Sequence, residues 1–339
     1  MTALALTIIG FYLIRSYFAK NIITYVYTTV MVIVASVAIA GTLQKGPLVR
    51  YLYKQSVSFR GQYWRAGVTM AKGHPFTGVG YDTYGDWYKR ARSAQAMITP
   101  GPATITNVAH NVFIDALASG GFIFFAAYLA IFIIAFIAIV RVSLRNRAYD
   151  PIFVALTATW ICYNVQAFIS INQIGIAIWG WLLTGAVIAY ERATRNAVMP
   201  DVGSKKLSKN KRSQAADTQP GVVLAGVSGF IIGLIVALPP FIADSSWRSA
   251  MQAASAQQLG AAASRFPMDS NRLANAALMF ENNKMYSQAV DMARKGIKFN
   301  PDYSDAWKVL LVVSQSTPEE KAHAKEMMHK LDPRNTELK

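Results

Sequence analysis

Cysteine is almost missing from this chain of 339 residues: Cys162 stands alone, inside an apolar run. No disulfide can form within the chain, and the redox compartment is not readable from cysteine usage. Acidic residues are scarce as well. There are 18 Asp and Glu against 34 Lys and Arg, for a net charge of +16. No His, Cys, Asp or Glu cluster has the spacing of a metal site. The closest approach is Asp82 and Asp86, and two carboxylates in a loop are a poor ligand set. A phosphate-cradling Gly-rich loop and a Ser-His-Asp set are also missing. These absences point to chemistry without metal or cofactor. Residues 1–14 carry neither the basic start nor the small-residue cleavage site of a secretion signal.

What the chain has is length of apolar run. Hydrophobic residues make up 53% of it. A helix needs about 20 apolar residues to cross a bilayer. Segments 22–41, 122–140, 151–171, 174–190 and 222–243 come close to that. Segment 1–14 is too short and reads like the end of a helix, as if the chain were the C-terminal part of a longer membrane protein. The expected fold is all-α: a polytopic membrane protein of five to six spans. Orientation follows from Lys and Arg in the short loops. Arg15 and Lys20 precede the second span; Arg141, Arg145 and Arg147 follow the third. Arg192, Arg195, Lys205, Lys206, Lys209, Lys211 and Arg212 lie between the fifth and sixth. Alternation puts all three clusters on one side, the cytoplasmic side. The membrane domain is then 1–243, with a basic cytoplasmic loop at 191–220. The run "SKKLSKNKRS" reads as topogenic, the alternative being a lipid- or nucleic-acid-binding patch.

Alternation also places a long loop, 42–110, and the tail, 244–339, outside the cytoplasm. The loop holds nine cations against only Asp82 and Asp86. Long loops translocate largely regardless of charge, so the topology stands. The excess invites either anionic lipid headgroups or an anionic ligand such as a pyrophosphate. The tail is nearly charge-balanced and shows no nucleic-acid signature. In it, Pro267, Pro301 and Pro333 recur at about the tetratricopeptide period. Small Ala276, Ala277, Ala289 and Ala293 fall where two helices broken at "ENNK" must approach closely. The expectation is a domain of about two tetratricopeptide-like repeats.

Three patterns gather in the outer loop. In "FRGQYWRAG", Arg60 and Trp64 are four apart and share a helix face. In "GHPFTGVGYDTY", His74-Pro75 disfavours helix at His74, and Gly78 and Gly80 permit a tight turn with exposed backbone amides. In "AHNVFIDALASGG", His110 and Asn111 enter a helix that reaches Gly120 and Gly121. In order and place, this set resembles the C-terminal module of O-antigen ligases, O-antigen polymerases and related protein O-oligosaccharyltransferases. Members typically show an Arg four residues before a Trp, then His/Asn-Pro-hydrophobic-x-Gly-Val-Gly, then a His-Asn pair entering a Gly-containing helix.

The resemblance implies transfer of a glycan from a polyprenyl-pyrophosphate carrier to an acceptor hydroxyl on a glycan, lipid or protein. It would occur at the outer face of the bacterial cytoplasmic membrane. It implies a phosphate-binding role for Arg60, with Arg65 next. His110 would act as base when neutral or as a pyrophosphate contact when protonated; the sequence leaves both open. Asn111 would orient imidazole or acceptor, and Gly78 and Gly80 would contact substrate. Arg90 and Arg92 fall in a polar stretch that reads as mobile. Asn111 is also a good N-cap, Arg60 could snorkel to headgroups, and Asp115 reads as an interfacial polar residue. The competing class is a non-enzymatic membrane-anchored scaffold for envelope polysaccharide assembly, its repeats binding a protein partner.

Overall fold

A computed structural model describes residues 1–18, 20–195 and 220–335. Among them every regular element is a helix. The basic loop around Lys205 to Arg212 lies outside the described residues. The chain divides into two units, Met1–Asp201 and Val202–Lys339.

The first unit opens with α1 (Thr2–Tyr17) and α2 (Asn21–Thr42). The segment expected on the outer side follows: α3 (Val49–Leu52), α4 (Gln55–Gly73), α5 (Tyr84–Ala91) and α6 (Ala94–Ile98). Then come α7 (Val112–Arg145), α8 (Pro151–Ala167) and α9 (Ile174–Arg195). Helices α2, α7 and α9 are long and apolar enough to cross a membrane, whereas α1 is shorter. The expected span 151–171 is cut short: α8 stops at Ala167, and a turn precedes α9. Its start is well made. Asp150 accepts from the Ile152 and Phe153 amides (2.9 and 3.1 Å) with Pro151 in the first turn, an N-cap joined to a preset φ. Trp160 Nε1 donates to Thr184 Oγ1 (3.0 Å) and ties α8 to α9.

The basic junctions of this unit meet at one end. Arg15 donates to the Ser143 carbonyl. Arg147 donates to the carbonyls of Arg15 and Phe18 (3.1 and 3.0 Å). Arg145 reaches Glu191 and Thr194 on α9. Arg15, Arg145 and Arg195 therefore share one end of the bundle.

Helix α7 is broken. Gly121 has φ 69° and ψ −174°, so residues 112–120 and 122–145 are two helical pieces. The break frees backbone groups that a continuous helix would use. The loop 75–80 takes them up. Val79 and Gly80 donate to the carbonyls of Ala118 and Ser119 (2.9 and 3.0 Å), and Phe122 donates to the Pro75 carbonyl (2.6 Å).

The second unit starts with α10 (Pro220–Ala253), whose segment Val223–Ala253 is also long and apolar enough to span. It continues through α11 (Ala256–Ala263), α12 (Ser270–Asn282), α13 (Tyr286–Phe299), α14 (Ser304–Val312) and α15 (Pro318–Leu331). Helices α12 and α13 pair across the "ENNK" break. Ala276, Ala277, Ala289 and Ala293 are all essentially buried, so the small residues do stand where helices approach. Trp307 fills the core beside them and donates to the Pro301 carbonyl (2.7 Å).

Candidate functional site

Helix α4 is amphipathic. Tyr63, Ala66, Gly67 and Met70 are buried on one face and pack on the start of α7. Contact is close at Gly67, where a Cβ would lie 2.6 Å from Ile114. Tyr84 of α5 donates to the Tyr63 carbonyl (2.6 Å). Burial pushes the Tyr84 phenol far above its ordinary range and Tyr88 up to about 12. Both phenols are neutral at pH 7.

His110 sits directly before α7, with φ 56°. Non-glycine residues rarely hold this left-handed backbone, and where they do, function is a reasonable hypothesis. Its ring lies 5.6 Å from that of Tyr63. Its pKa is lowered, first by burial and then by the Arg60 guanidinium. The imidazole and Arg60 are thus electrostatic neighbours, although they are 50 positions apart. Trp64 lies one turn beyond Arg60, and its buried Nε1 finds no hydrogen-bond partner among the described residues.

Other expected site residues are placed differently. Asn111 is buried, and its Oδ1 accepts from the Phe113 and Ile114 amides (3.0 and 3.1 Å). It caps α7 through Oδ1. Asn111→Ala is therefore expected to cost about 1 kcal/mol of stability, as N-cap losses do. Asn111→Asp should keep most of it; thermal unfolding in detergent reads both. Arg65 is exposed and five positions from Arg60, about 140° around the helix. It does not share the Arg60 face.

The amides of Gly78 and Gly80 are not exposed, contrary to expectation. Gly78 N–H bonds to the His74 carbonyl (3.0 Å) and Gly80 N–H to Ser119. These glycines let the loop press on the α7 break. Arg90 and Arg92 do not lie in a loose stretch. Arg90 stacks over Trp87 at 3.7 Å. Arg92 is 1% exposed and donates to the Pro102 carbonyl (2.7 Å). His74 ends α4 as a turn residue, edge-on to Trp87.

Sequence reasoning missed the space beside this centre. A cavity of about 510 Å³ lies at the α7 break. Tyr81, Asp82, Asn107, Asp115 and Ser119 supply its polar wall; Tyr128, Ile131 and Trp181 supply apolar surface. Asp115 Oδ1 accepts the Ala109 amide, which braces the turn carrying His110. Neither His110 nor Arg60 lines the cavity, but Asn107, Val108 and Val112 do, so the cavity adjoins the His110 turn. Among the described residues no His, Cys, Asp and Glu grouping could hold a metal ion.

Residues 1–129 match the family model described as O-Antigen ligase. Over these residues the chain is similar to the O-antigen ligase family. The match takes in Arg60, the loop 75–80, His110, Asn111 and the α7 break. The similarity points to glycan transfer of the ligase or polymerase type, and the long apolar helices fit a multi-pass membrane protein. No curated protein and no solved structure matches the chain.

Proposed function

We propose that this O-antigen ligase-like module moves a glycan from a polyprenyl-pyrophosphate carrier to an acceptor hydroxyl at the outer face of the bacterial cytoplasmic membrane. His110 acts as the base and Arg60 receives the pyrophosphate. The observation that carries this reading is His110 held at φ 56° directly before α7, with the Arg60 guanidinium of α4 near enough to lower its pKa. A lowered pKa keeps the imidazole neutral near pH 7. A neutral imidazole accepts a proton, which favours the base over the pyrophosphate contact.

In the step, the acceptor oxygen attacks the anomeric carbon and passes its proton to His110. The bond from that carbon to the pyrophosphate oxygen breaks, and the electron pair leaves on the pyrophosphate. Negative charge builds there, and a fixed guanidinium stabilises it. The carrier is held in the bilayer, so its pyrophosphate lies at headgroup level. The entrance of a spanning helix is where a base for this reaction has to stand. The cavity beside the His110 turn is large enough to hold sugar rings.

Arg60→Lys tests the guanidinium role. Lys keeps the charge but loses the planar fork that grips a phosphate at two oxygens. Turnover is expected to fall by about tenfold, since a charge-assisted hydrogen bond is worth roughly 1.5–3 kcal/mol. Arg60→Gln should fall further. Equal activity in wild type and both variants would remove Arg60 from the site.

The helix pairs after α10 are read as tetratricopeptide-like repeats on the outer side, recruiting a protein partner or the acceptor. Near balance of charge argues against polyanion binding there. Deleting residues 249–339 should leave transfer to a small soluble acceptor intact while weakening acceptor selection. Loss of that basal transfer, with the spans still inserted, would place the tail within the catalytic fold.

A further inference from the structure

At the end of α7 and α9 away from the outer segment, one buried carboxylate organises a cluster of guanidinium groups. Glu191 is 4% exposed. Its two oxygens are taken by Arg145 (3.3 Å) and Arg195 (2.6 Å). Arg145 is fixed further by Thr194 Oγ1 (2.8 Å). Arg141 and Arg192 stand beside this group. Both are exposed, and among the described residues neither makes a hydrogen bond or an ion pair. A pocket of about 180 Å³ lies here, lined by Arg141, Arg192 and Arg195 with Ile134, Ile137 and Ile188. Four cations thus surround a single carboxylate already in use.

The depth of the pocket identifies its surroundings. From Phe122, just past the α7 break, to Arg141 is 20 residues. At 1.5 Å per residue that is roughly 30 Å, the thickness of the hydrocarbon core. Arg141 therefore reaches the headgroup level of the leaflet opposite the outer segment. Below it on the same helix, Ile134 is 53% and Ile137 41% exposed. They offer an apolar track running down into the bilayer.

We propose that this pocket binds an anionic phospholipid. Its phosphate diester sits between Arg141 and Arg192, and one acyl chain lies along Ile134, Ile137 and Ile188. A guanidinium pair suits phosphate oxygens, and basic pockets between spanning helices are a recognised way of holding anionic headgroups. Snorkelling cations alone need neither a pocket nor a buried carboxylate to arrange them. The apolar track beneath the cations favours a lipid over a free phosphate ion. The proposal is independent of the chemistry at His110, because it concerns the other end of the bundle.

The test is native mass spectrometry of the full chain in detergent, titrated with palmitoyl-oleoyl phosphatidylglycerol or phosphatidylcholine. Phosphatidylglycerol should be retained roughly 30-fold more strongly, the factor that about 1 kcal/mol from each of Arg141 and Arg192 gives. The Arg141→Gln/Arg192→Gln double variant should lose that preference, and Arg141→Lys/Arg192→Lys should keep most of it. On the unaltered chain, a photoactivatable phosphatidylglycerol should label peptides covering 134–141 and 188–195. Equal retention of the two lipids, a preference that survives the double Gln variant, or labelling elsewhere would overturn the proposal. Displacement of phosphatidylglycerol by excess inorganic phosphate would overturn it too, by showing a site for free anions.

Discussion

Replacing His110 by alanine is expected to cut glycan transfer by at least ~100-fold, the usual contribution of a positioned general base, with membrane insertion unchanged. A non-enzymatic scaffold would lose nothing, so this variant separates the two function classes. The pH profile carries more information. The working form of a base is the neutral one, so activity falls as pH drops through its pKa. Burial and the Arg60 charge both lower that pKa from 6.5. The acid limb of kcat/KM should therefore lie below pH 6.5, with a plateau across neutrality. Arg60→Gln removes one of the two causes, so the limb of its residual activity should move up toward 6.5. A limb above 6.5 in the unaltered enzyme would show a different base, or a His110 whose protonated form is stabilised.

The helix under "FRGQYWRAG" was legible because its apolar residues recur at helical spacing: Tyr63, Ala66, Gly67 and Met70 form the buried face. The place of His110 at a helix entrance was legible from the apolar run that follows it. So was the close approach of Ala276, Ala277, Ala289 and Ala293, since only small side chains let two helices meet. The nearness of Arg60 to His110 was legible only through family resemblance, as no local spacing joins positions 50 residues apart. The order of the polar stretch around Arg90 and Arg92 comes from side-chain packing that its composition does not show. Trp87 holds Arg90, and the Pro102 carbonyl holds Arg92. Asn111 offered two readings, substrate contact and N-cap, and the amides within reach of its Oδ1 establish the cap. The use of Gly78 and Gly80 was hidden for the same reason as the cavity. Both depend on where α7 breaks, and a Gly pair in a helix marks close packing without saying what comes close.

That break supports the second prediction, a pair of glycine substitutions with opposite signs. At Gly121 a Cβ would stand 2.4 Å from the carbonyl carbon and oxygen of Phe76, and 2.7 Å from the Gly78 nitrogen. Both neighbours are backbone, so neither yields as a flexible side chain would. The backbone there, φ 69° and ψ −174°, is in a region that is essentially glycine's own. Gly121→Ala should cost about 3 kcal/mol, the strain of that conformation plus the displaced contact. The damage should spread. The loop 75–80 is held by the Ala118 and Ser119 carbonyls and by the Phe122 amide, and the same short helical piece, 112–120, starts next to His110. If the loop leaves the break, that piece loses its support and the imidazole its fixed position, so transfer should fall with stability. At Gly61, inside α4, a Cβ would meet nothing within 4 Å. Gly61→Ala should stabilise by about 0.5–1 kcal/mol, through lower chain entropy in the unfolded state. Thermal unfolding of both variants in one detergent, read beside transfer activity, checks the pair. Similar small shifts at the two positions would mean that Gly121 does not anchor the loop.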